Sequence, residues 1–178
     1  TETAAGTSNL VINVASGTTA TFTNMTASTF TSGSDTITIN GTTGNETITA
    51  PNLATTINGG NGDDTIDGGD GGDTLVGGSG DDVYLFNTND VDSGESITEN
   101  VSGGTDVIAI VTTTDFANMS VASFNEIEQI RFAGANQTAT FTGAQLTGET
   151  LSLTETAAGT SNLIINVASG TTTTFTNI

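Results

Sequence analysis

The feature that most constrains this chain is a nine-residue period in its apolar residues. Large apolar side chains recur at every ninth position over seven consecutive positions, and a threonine stands directly before five of them. The positions are Phe30, Ile39, Ile48, Ile57, Ile66, Leu75 and Tyr84. One inward residue in nine cannot form a globular core by itself, but stacked turns align such residues into a continuous column. The period therefore predicts a repetitive β structure of short strands separated by glycine turns.

Acidic residues are concentrated in the same part of the chain. The protein has 178 residues, 20 acids and a single base, Arg131, and its formal net charge is −19. Nine of the 20 acids lie between Asp63 and Asp92, where they repel one another unless something supplies positive charge. So acidic a chain is not expected to bind nucleic acid or an anionic membrane surface. Its apolar runs are short, so no membrane insertion is expected either.

Two residue types with distinctive chemistry are absent. The chain contains neither cysteine nor histidine, which excludes disulfides, thiolate metal sites and histidine-ligated metals. A metal bound by this chain must be a hard cation held by oxygen atoms. The usual general bases and activated nucleophiles are missing too, so we predict no enzymatic activity. A glycosidase built on paired carboxylates is the one alternative that the residue types allow.

Three uninterrupted copies of the pattern G-G-x-G-x-D-x-U-x, where U is a large apolar residue, lie within the periodic region. They read GGNGDDTID (59–67), GGDGGDTLV (68–76) and GGSGDDVYL (77–85). Glycine permits a backbone with positive φ that aims carbonyl oxygens at one point, and the aspartate adds a carboxylate. Calcium takes about six to eight oxygen ligands of this kind. The pattern therefore predicts that the segment binds several calcium ions.

These nonapeptides resemble the calcium-binding repeats of the RTX (repeats-in-toxin), or hemolysin-type, family. The resemblance is firm over 59–85 and extends weakly over 32–58 and into the residues after 85. It implies an all-β fold, a right-handed parallel β-roll or β-solenoid with calcium-binding turns. It also implies that turns on the same side of the roll, such as 59–64 and 77–82, lie 18 residues apart. In the family such segments fold outside the cell when calcium binds, since metal binding and folding are coupled.

The resemblance assigns the first calcium site to two turns. It pairs turn 59–64 with turn 77–82, and Asp64 and Asp82 are the expected carboxylate ligands. The turns also contribute candidate ligands through backbone or side-chain oxygens: Gly60, Asn61, Gly62, Asp63, Gly69, Asp70, Gly71, Gly78, Ser79, Gly80 and Asp81. For the two aspartates at the fifth position, Asp63 and Asp81, we expect carbonyl rather than carboxylate contacts.

Asp73 lies in turn 68–73, on the opposite side of the roll. The 18-residue rule gives this turn the partners 50–55 and 86–91. The first lacks both glycines and an acid, and Asp90 in the second is one position out of register. We therefore expect Asp73 to hold a partial or weaker site.

A degenerate repeat precedes the three regular ones. Residues 41–49 read GTTGNETIT and place Glu46 18 residues before Asp64. Two interpretations stay open: a calcium site between Glu46 and Asp64, or a turn that continues the roll without metal.

The remaining acids of the region have less specific interpretations. A solvated surface position is the simplest role for Asp67, and it is the alternative to a ligand role for Asp70. Asp92, Glu95 and Asp106 either cap the block or lie on the surface.

A second repeat is much longer. Residues 1–25 and 154–178 are offset by 153 residues and differ at only three positions, Val11/Ile164, Ala20/Thr173 and Met25/Ile178. One interpretation is a 153-residue unit of a tandem array followed by the start of the next unit. The alternative is a local duplication that flanks a single domain.

The repeats divide the chain into four predicted parts. These are a β segment at 1–29, the calcium-binding roll at 30–90, a β-rich exit or solenoid segment at 91–153, and the start of the next unit at 154–178. Strands are predicted outside the roll at Leu10–Val14, Thr21–Thr23, Val107–Val111, Ile130–Phe132, Thr138–Thr142 and Leu151–Leu153. One stretch, Ser123–Ile130, is helix-like.

These observations predict a calcium-binding structural protein of the bacterial cell surface or exterior. The expected role is a subunit of a surface layer, filament or matrix, which self-associates with further copies of the same unit. A cell-surface glycan is a further candidate partner. Two alternatives stay open: the stalk of a giant RTX adhesin, and the C-terminal secretion region of an exoprotease or lipase.

Overall fold

The chain winds into a solenoid whose strands pair in parallel. A computed structural model describes residues 7–25, 35–100, 103–147 and 150–168. Its strands are β1 Asn9–Asn13, β2 Thr19–Thr21, β3 Thr36–Asn40, β4 Thr47–Thr49, β5 Thr55–Asn61, β6 Thr65–Asp67, β7 Thr74–Ser79, β8 Val83–Phe86, β9 Ser96–Thr98, β10 Val107–Ile110, β11 Thr114–Asp115, β12 Gln129–Phe132, β13 Thr138–Thr142, β14 Ser152–Glu155 and β15 Asn162–Asn166. In the described residues no helix is long and apolar enough to cross a membrane.

Alternate strands build opposite faces of the solenoid. One sheet has the order β1-β3-β5-β7-β9, the second has the order β14-β12-β10-β8-β6-β4-β2, and a third contains β11-β13-β15. Neighbouring strands in every sheet are parallel, as in β3 with β5 and β4 with β6. The predicted all-β fold with a parallel β-roll is thereby confirmed.

The apolar column predicted from the nine-residue period forms the core of the roll. Ile39 is level with Ile57 and Leu75 on one face, while Ile48, Ile66 and Tyr84 are level on the other. All six side chains are fully buried. Phe30, the first position of the column, lies outside the described residues. The threonines beside the column, such as Thr56, are half-buried because successive strand residues face opposite sides.

The coils become wider after the nonapeptides. Consecutive coils are 18 residues apart up to Asp82, but 22 residues separate Asp73 from Glu95 and 24 separate Asp82 from Asp106. Four phenylalanines fill the wider interior, and the rings of Phe116 and Phe141 stack with their centroids 4.6 Å apart. The other two members of the cluster are Phe86 and Phe124.

The helix-like stretch Ser123–Ile130 is not a helix of that extent. A single 3-10 turn covers Val121–Phe124, and β12 already begins at Gln129. The turn ends because Glu126 adopts a positive φ of 60° and because Ile127 and Ile130 are both needed in the core.

Two other predicted strands are shifted by one or two residues, since β2 spans Thr19–Thr21 and β14 spans Ser152–Glu155. Strand pairing continues across the predicted part boundaries. For example, β7 pairs with β9 and β8 pairs with β10.

The core column gives a first testable prediction. Replacing Ile57 with alanine should lower the free energy of unfolding by about 2–5 kcal/mol, because the side chain is fully buried between its counterparts in adjacent coils. Urea unfolding in saturating calcium measures this loss. The matched control is Thr56→Ala on the half-buried face, where a change within about 0.5 kcal/mol is expected. Equal losses in the two variants would contradict the column.

Candidate metal centre

Seven acids form two rows that run along the solenoid. Each acid directly precedes a strand and stands two residues before a buried apolar side chain. The first row precedes even-numbered strands and contains Glu46, Asp64, Asp82, Asp106 and Glu128. The second row precedes β7 and β9 and contains Asp73 and Glu95. All are buried except Glu128, which is half-buried.

A repeated hydrogen bond links the acids of the first row. The backbone N–H of each acid donates to the carboxylate of the next acid along the row. The distances are 2.7 Å from Glu46 N to Asp64 Oδ1, 2.7 Å from Asp64 N to Asp82 Oδ1, 2.9 Å from Asp82 N to Asp106 Oδ1, and 2.7 Å from Asp106 N to Glu128 Oε2. Each carboxylate thus fixes the register between two coils through one of its oxygens.

The second oxygen of three aspartates has no partner. Oδ2 of Asp64, Asp73 and Asp82 is buried and accepts no hydrogen bond within the part of the chain that the structure describes. A buried carboxylate oxygen without a partner is costly, because it has lost its hydration and gained nothing in return. These three oxygens are therefore the atoms at which a cation would relieve an unfavourable state.

The first glycine of each nonapeptide keeps the space beside this oxygen free. A Cβ atom on Gly59 would lie 2.7 Å from the Gly77 carbonyl oxygen and would overlap with Asp64 Oδ2. The same overlap with an Oδ2 atom would occur between Gly77 and Asp82 and between Gly68 and Asp73. Carboxylate and carbonyl oxygens thus converge where any side chain would intrude.

The other two motif glycines are required by the backbone. The second and fourth residues of every nonapeptide have a positive φ, which strains any residue with a Cβ. The φ angles are 119° at Gly60, 107° at Gly62, 73° at Gly69, 135° at Gly71, 117° at Gly78 and 126° at Gly80. The carbonyl oxygens of Gly60 and Gly62 consequently point at Gly78 and Gly80 of the next coil.

Glu46 stands in the first row but differs from the aspartates. Its Oε1 accepts a hydrogen bond of 2.6 Å from Gly17 N, and its Oε2 accepts one of 2.7 Å from Thr42 N. Both oxygens are therefore satisfied by the backbone. This favours the interpretation in which turn 41–46 continues the roll without metal, and the site between Glu46 and Asp64 stays a prediction.

The turn containing Asp73 has a different downstream partner from the predicted one. Asp73 N donates to Glu95 Oε2 at 2.8 Å, and Asp73 Oδ1 accepts from Thr55 N at 2.7 Å. The predicted partner 86–91 is wrong, because this coil has 22 residues instead of 18. Glu95 supplies the acid that the 18-residue rule did not find, and Asp90 instead accepts a hydrogen bond from Asn87 N.

The fifth-position aspartates form an outer row at the surface. Asp63 Oδ1 accepts from Asp81 N at 3.0 Å, and Asp81 Oδ1 accepts from Thr105 N at 2.8 Å. Asn45 Oδ1 accepts from Asp63 N at 3.0 Å at the upstream end. Their carboxylates are engaged between coils, so only their carbonyls are left as candidate ligands.

Four other predicted positions have backbone or surface roles. Ser79 O accepts from Gly62 N at 2.7 Å, and Asn61 N donates to Thr42 O at 2.8 Å. Asp70 Oδ2 accepts from the Asn52 side chain at 3.0 Å. Asp67 is half-buried and not simply solvated, and burial raises the pKa of its carboxyl.

Burial raises the pKa of the carboxyls in both rows. The pKa rises to about 6 for Asp64, to about 7 for Asp82, to about 8 for Asp73 and to about 9 for Glu95. Loss of hydration is the main cause, and repulsion from neighbouring acids adds to it. Raised values of this kind mean that the charged form is unstable here without a cation.

The residues present fit a hard divalent cation. Buried carboxylates with free oxygens, convergent carbonyls and no compensating base provide the donor set that calcium prefers. The fold and the two rows together define a calcium-binding parallel β-roll.

A comparison with protein families identifies the repeats. Residues 53–84 match the RTX calcium-binding nonapeptide repeat in four copies. This part of the chain belongs to that family, and the predictions of RTX repeats and of bound calcium are confirmed. RTX repeats are typical of secreted bacterial proteins. Searches of curated proteins and of solved structures found no significant match.

Sequence reasoning missed two members of the rows and one further acid. Glu95 and Asp106 were noticed without a partner, Glu128 was not connected to the roll, and Glu99 was not considered. The signal that finds the row members is an acid two residues before a large apolar residue, as in Asp106-Val-Ile108 and Glu128-Gln-Ile130. This pattern persists after the 18-residue spacing ends.

The unpartnered oxygens predict a difference between two aspartates. In Asp64→Asn the backbone hydrogen bond can persist but the charge is lost, so calcium affinity at this site should fall at least about tenfold. Asp70→Asn is the matched control, because Asp70 already pairs with Asn52. Calorimetric calcium titration measures both. Equal losses would contradict the assignment of Asp64.

The raised pKa values predict how the calcium-free protein responds to pH. A buried acid with a raised pKa binds more protons in the folded state than in the unfolded state, so stability falls as pH rises. The loss should begin near the ordinary aspartate pKa of 3.8 and continue to about 9, the pKa of Glu95. Circular dichroism in the presence of a chelator should therefore show more β structure at low pH.

Saturating calcium provides the control for this pH series. Metal ions bind the deprotonated carboxylates, so the calcium-loaded protein should stay folded at the alkaline end. A calcium-free protein that is more ordered at pH about 9 than at pH about 5 would refute the burial of these acids.

Proposed function

We propose that this protein is an extracellular structural subunit, a solenoid stiffened by calcium and built from tandem 153-residue units. It would serve in a bacterial surface layer, filament or matrix, and we assign it no catalytic role. The observation that carries the proposal is the pairing of β15, which has almost the same sequence as β1.

The two copies of this strand occupy complementary places. In β15, Leu163 pairs with Ala139 and Ile165 pairs with Phe141 on the preceding strand β13. In β1, the equivalent Leu10 pairs with Ile37 and Ile12 pairs with Ile39 on the following strand β3. One strand sequence is thus compatible with β13 on one side and with β3 on the other.

Joining the sheets at the shared strand gives a continuous fold. The order would run β11-β13, then the shared strand, then β3-β5-β7-β9 of the next unit. No linker is needed, since the next unit resumes the same winding. This supports a rod in which each unit covers the open edge of its neighbour.

The end strands carry none of the usual protection against edge pairing. Neither 7–25 nor 156–168 contains a charged residue or a proline, and Val11 and Ile164 are 58% and 45% exposed. Soluble proteins commonly protect open edges with charges or proline. All acids of the described segments lie between Asp35 and Glu155, so repulsion between copies is weakest at the ends.

A ladder of asparagines reaches the same edge. Asn58 donates to Asn40 Oδ1 at 2.8 Å, and Asn40 donates to Asn13 Oδ1 at 3.2 Å. The equivalent of Asn13 in β15 is Asn166, which occupies the corresponding position of the second copy. The ladder therefore has a residue ready at each end to continue it.

Electron microscopy of a protein with two tandem units tests the proposal. Negative stain in calcium should show one straight rod twice the length of a single unit, and these rods should associate into ordered filaments or sheets. Chelator should abolish both. Two globules joined by a flexible hinge would contradict the continuous solenoid, and isolated straight rods would favour the adhesin stalk over the lattice.

A variant at the junction provides the matched control. Proline in place of Ile165 removes a ladder N–H from the shared strand and should convert the rod into two hinged halves. Proline in place of the exposed Ala158, outside the strands, should leave the rod straight.

A further inference from the structure

We propose a further cation site formed by Asp82, Glu99 and Asp106 at the end of the nonapeptide block. It would take calcium and would bind a trivalent lanthanide more tightly. Two of its three carboxylates lie outside the matched residues 53–84. The inference does not depend on the proposed assembly of units.

The position is equivalent to two earlier ones in the first row. A Cβ on Gly41 would meet Glu46 Oε2 and the carbonyl oxygen of Gly59. A Cβ on Gly59 would meet the free oxygen of Asp64 and the carbonyl oxygen of Gly77. At each step, a carboxylate of the same turn and a carbonyl of the next coil face the first glycine.

At the third step a carboxylate replaces the carbonyl. A Cβ on Gly77 would meet Asp82 Oδ2, Glu99 Oε1 and the hydroxyl of Tyr84. The coil between Asp82 and Asp106 has 24 residues, six more than the regular coil, and Glu99 lies within it. The longer coil thus brings a third acid to the place where the regular repeat offers only a backbone oxygen.

The three carboxylates share a small buried space. Each offers one oxygen, and these atoms lie within 4.8 Å of one another. Asp82 is fully buried and its Oδ2 has no hydrogen-bond partner among the described residues. Asp106 is 1% exposed, and its Oδ1 accepts from Asp82 N. A free, buried oxygen aimed into a cluster of acids indicates that a cation belongs between them.

The donor set selects the kind of cation. All donors are oxygen atoms, and the chain has no histidine or cysteine, so soft metals are excluded. Three carboxylates carry more charge than the carboxylate and carbonyl of the regular turn, which favours a trivalent ion of calcium-like size. Magnesium requires a smaller, strictly octahedral shell, so it should bind less well.

Tyr84 makes this site separately observable. It is the only tyrosine, and the chain contains no tryptophan. Its hydroxyl donates to Glu99 Oε1. Terbium emits when a nearby excited tyrosine transfers energy to it, and the transfer falls steeply with distance. Tyrosine-sensitised emission should therefore report an ion at this cluster in preference to ions in other turns.

The experiment is a terbium titration of the full chain after calcium removal, with selective excitation of tyrosine. We expect saturable sensitised emission that excess calcium displaces. Glu99→Gln should raise the terbium concentration needed for half-saturation at least about tenfold. Glu95→Gln is the matched control, because Glu95 is also a buried acid but stands in the second row. Its sensitised emission should match the wild type.

Two outcomes would overturn the proposal. One is the absence of saturable emission in the wild type while calorimetry still shows calcium binding, which would leave the repeats intact but this site empty. The other is an equal effect of Glu99→Gln and Glu95→Gln.

Two further variants keep the result independent of folding defects. Tyr84→Phe should abolish the emission and retain calorimetric calcium binding, because the hydroxyl is only the sensitiser and a neighbour of Glu99. If circular dichroism shows that Glu99→Gln fails to fold in calcium, Glu99→Asp replaces it. This variant keeps the charge on a shorter side chain and should give an intermediate affinity. Wild-type affinity for Glu99→Asp would count against a direct ligand role.

Discussion

The structure depends on a carboxylate that uses its two oxygens for different purposes. In Asp64 and Asp82 one oxygen accepts the backbone N–H of the preceding coil, and the other is buried without a partner. The first interaction sets the register of the coils. The second is tolerable only when a proton or a cation occupies the space. Stacking and ion binding are therefore one process, because the same side chain is required for both.

The glycines follow from this arrangement. Gly59 has no side chain because the Asp64 carboxylate lies where a Cβ would be, and Gly60 has none because its φ is 119°. The apolar column has the same dependence, since Ile57 is fully buried only when the coils before and after it are in place. Each element of the nonapeptide thus serves the stack of coils rather than its own turn.

Much of the roll could be predicted because its signals are local. The period of nine gave the column from Ile39 to Tyr84, and the motif gave the turn containing Asp64. The wider coils could not be derived in this way, because a fixed spacing of 18 residues says nothing about a coil of 24. Glu95 and Glu99 escaped for that reason, although an acid two residues before a large apolar residue marks Glu95 as well as it marks Asp64.

The same change of coil length separates two ways of holding the solenoid together. Up to Asp82 the interior is narrow, with one large apolar residue per strand, and the turns are rich in carboxylates. Beyond it the coils widen around Phe116 and Phe141, whose stacked rings fill the centre. Aromatic side chains bury far more surface than isoleucine, so these coils have less need of bound ions. The row of acids accordingly ends at the half-buried Glu128, where the aromatic core has already replaced the ions as the link between coils.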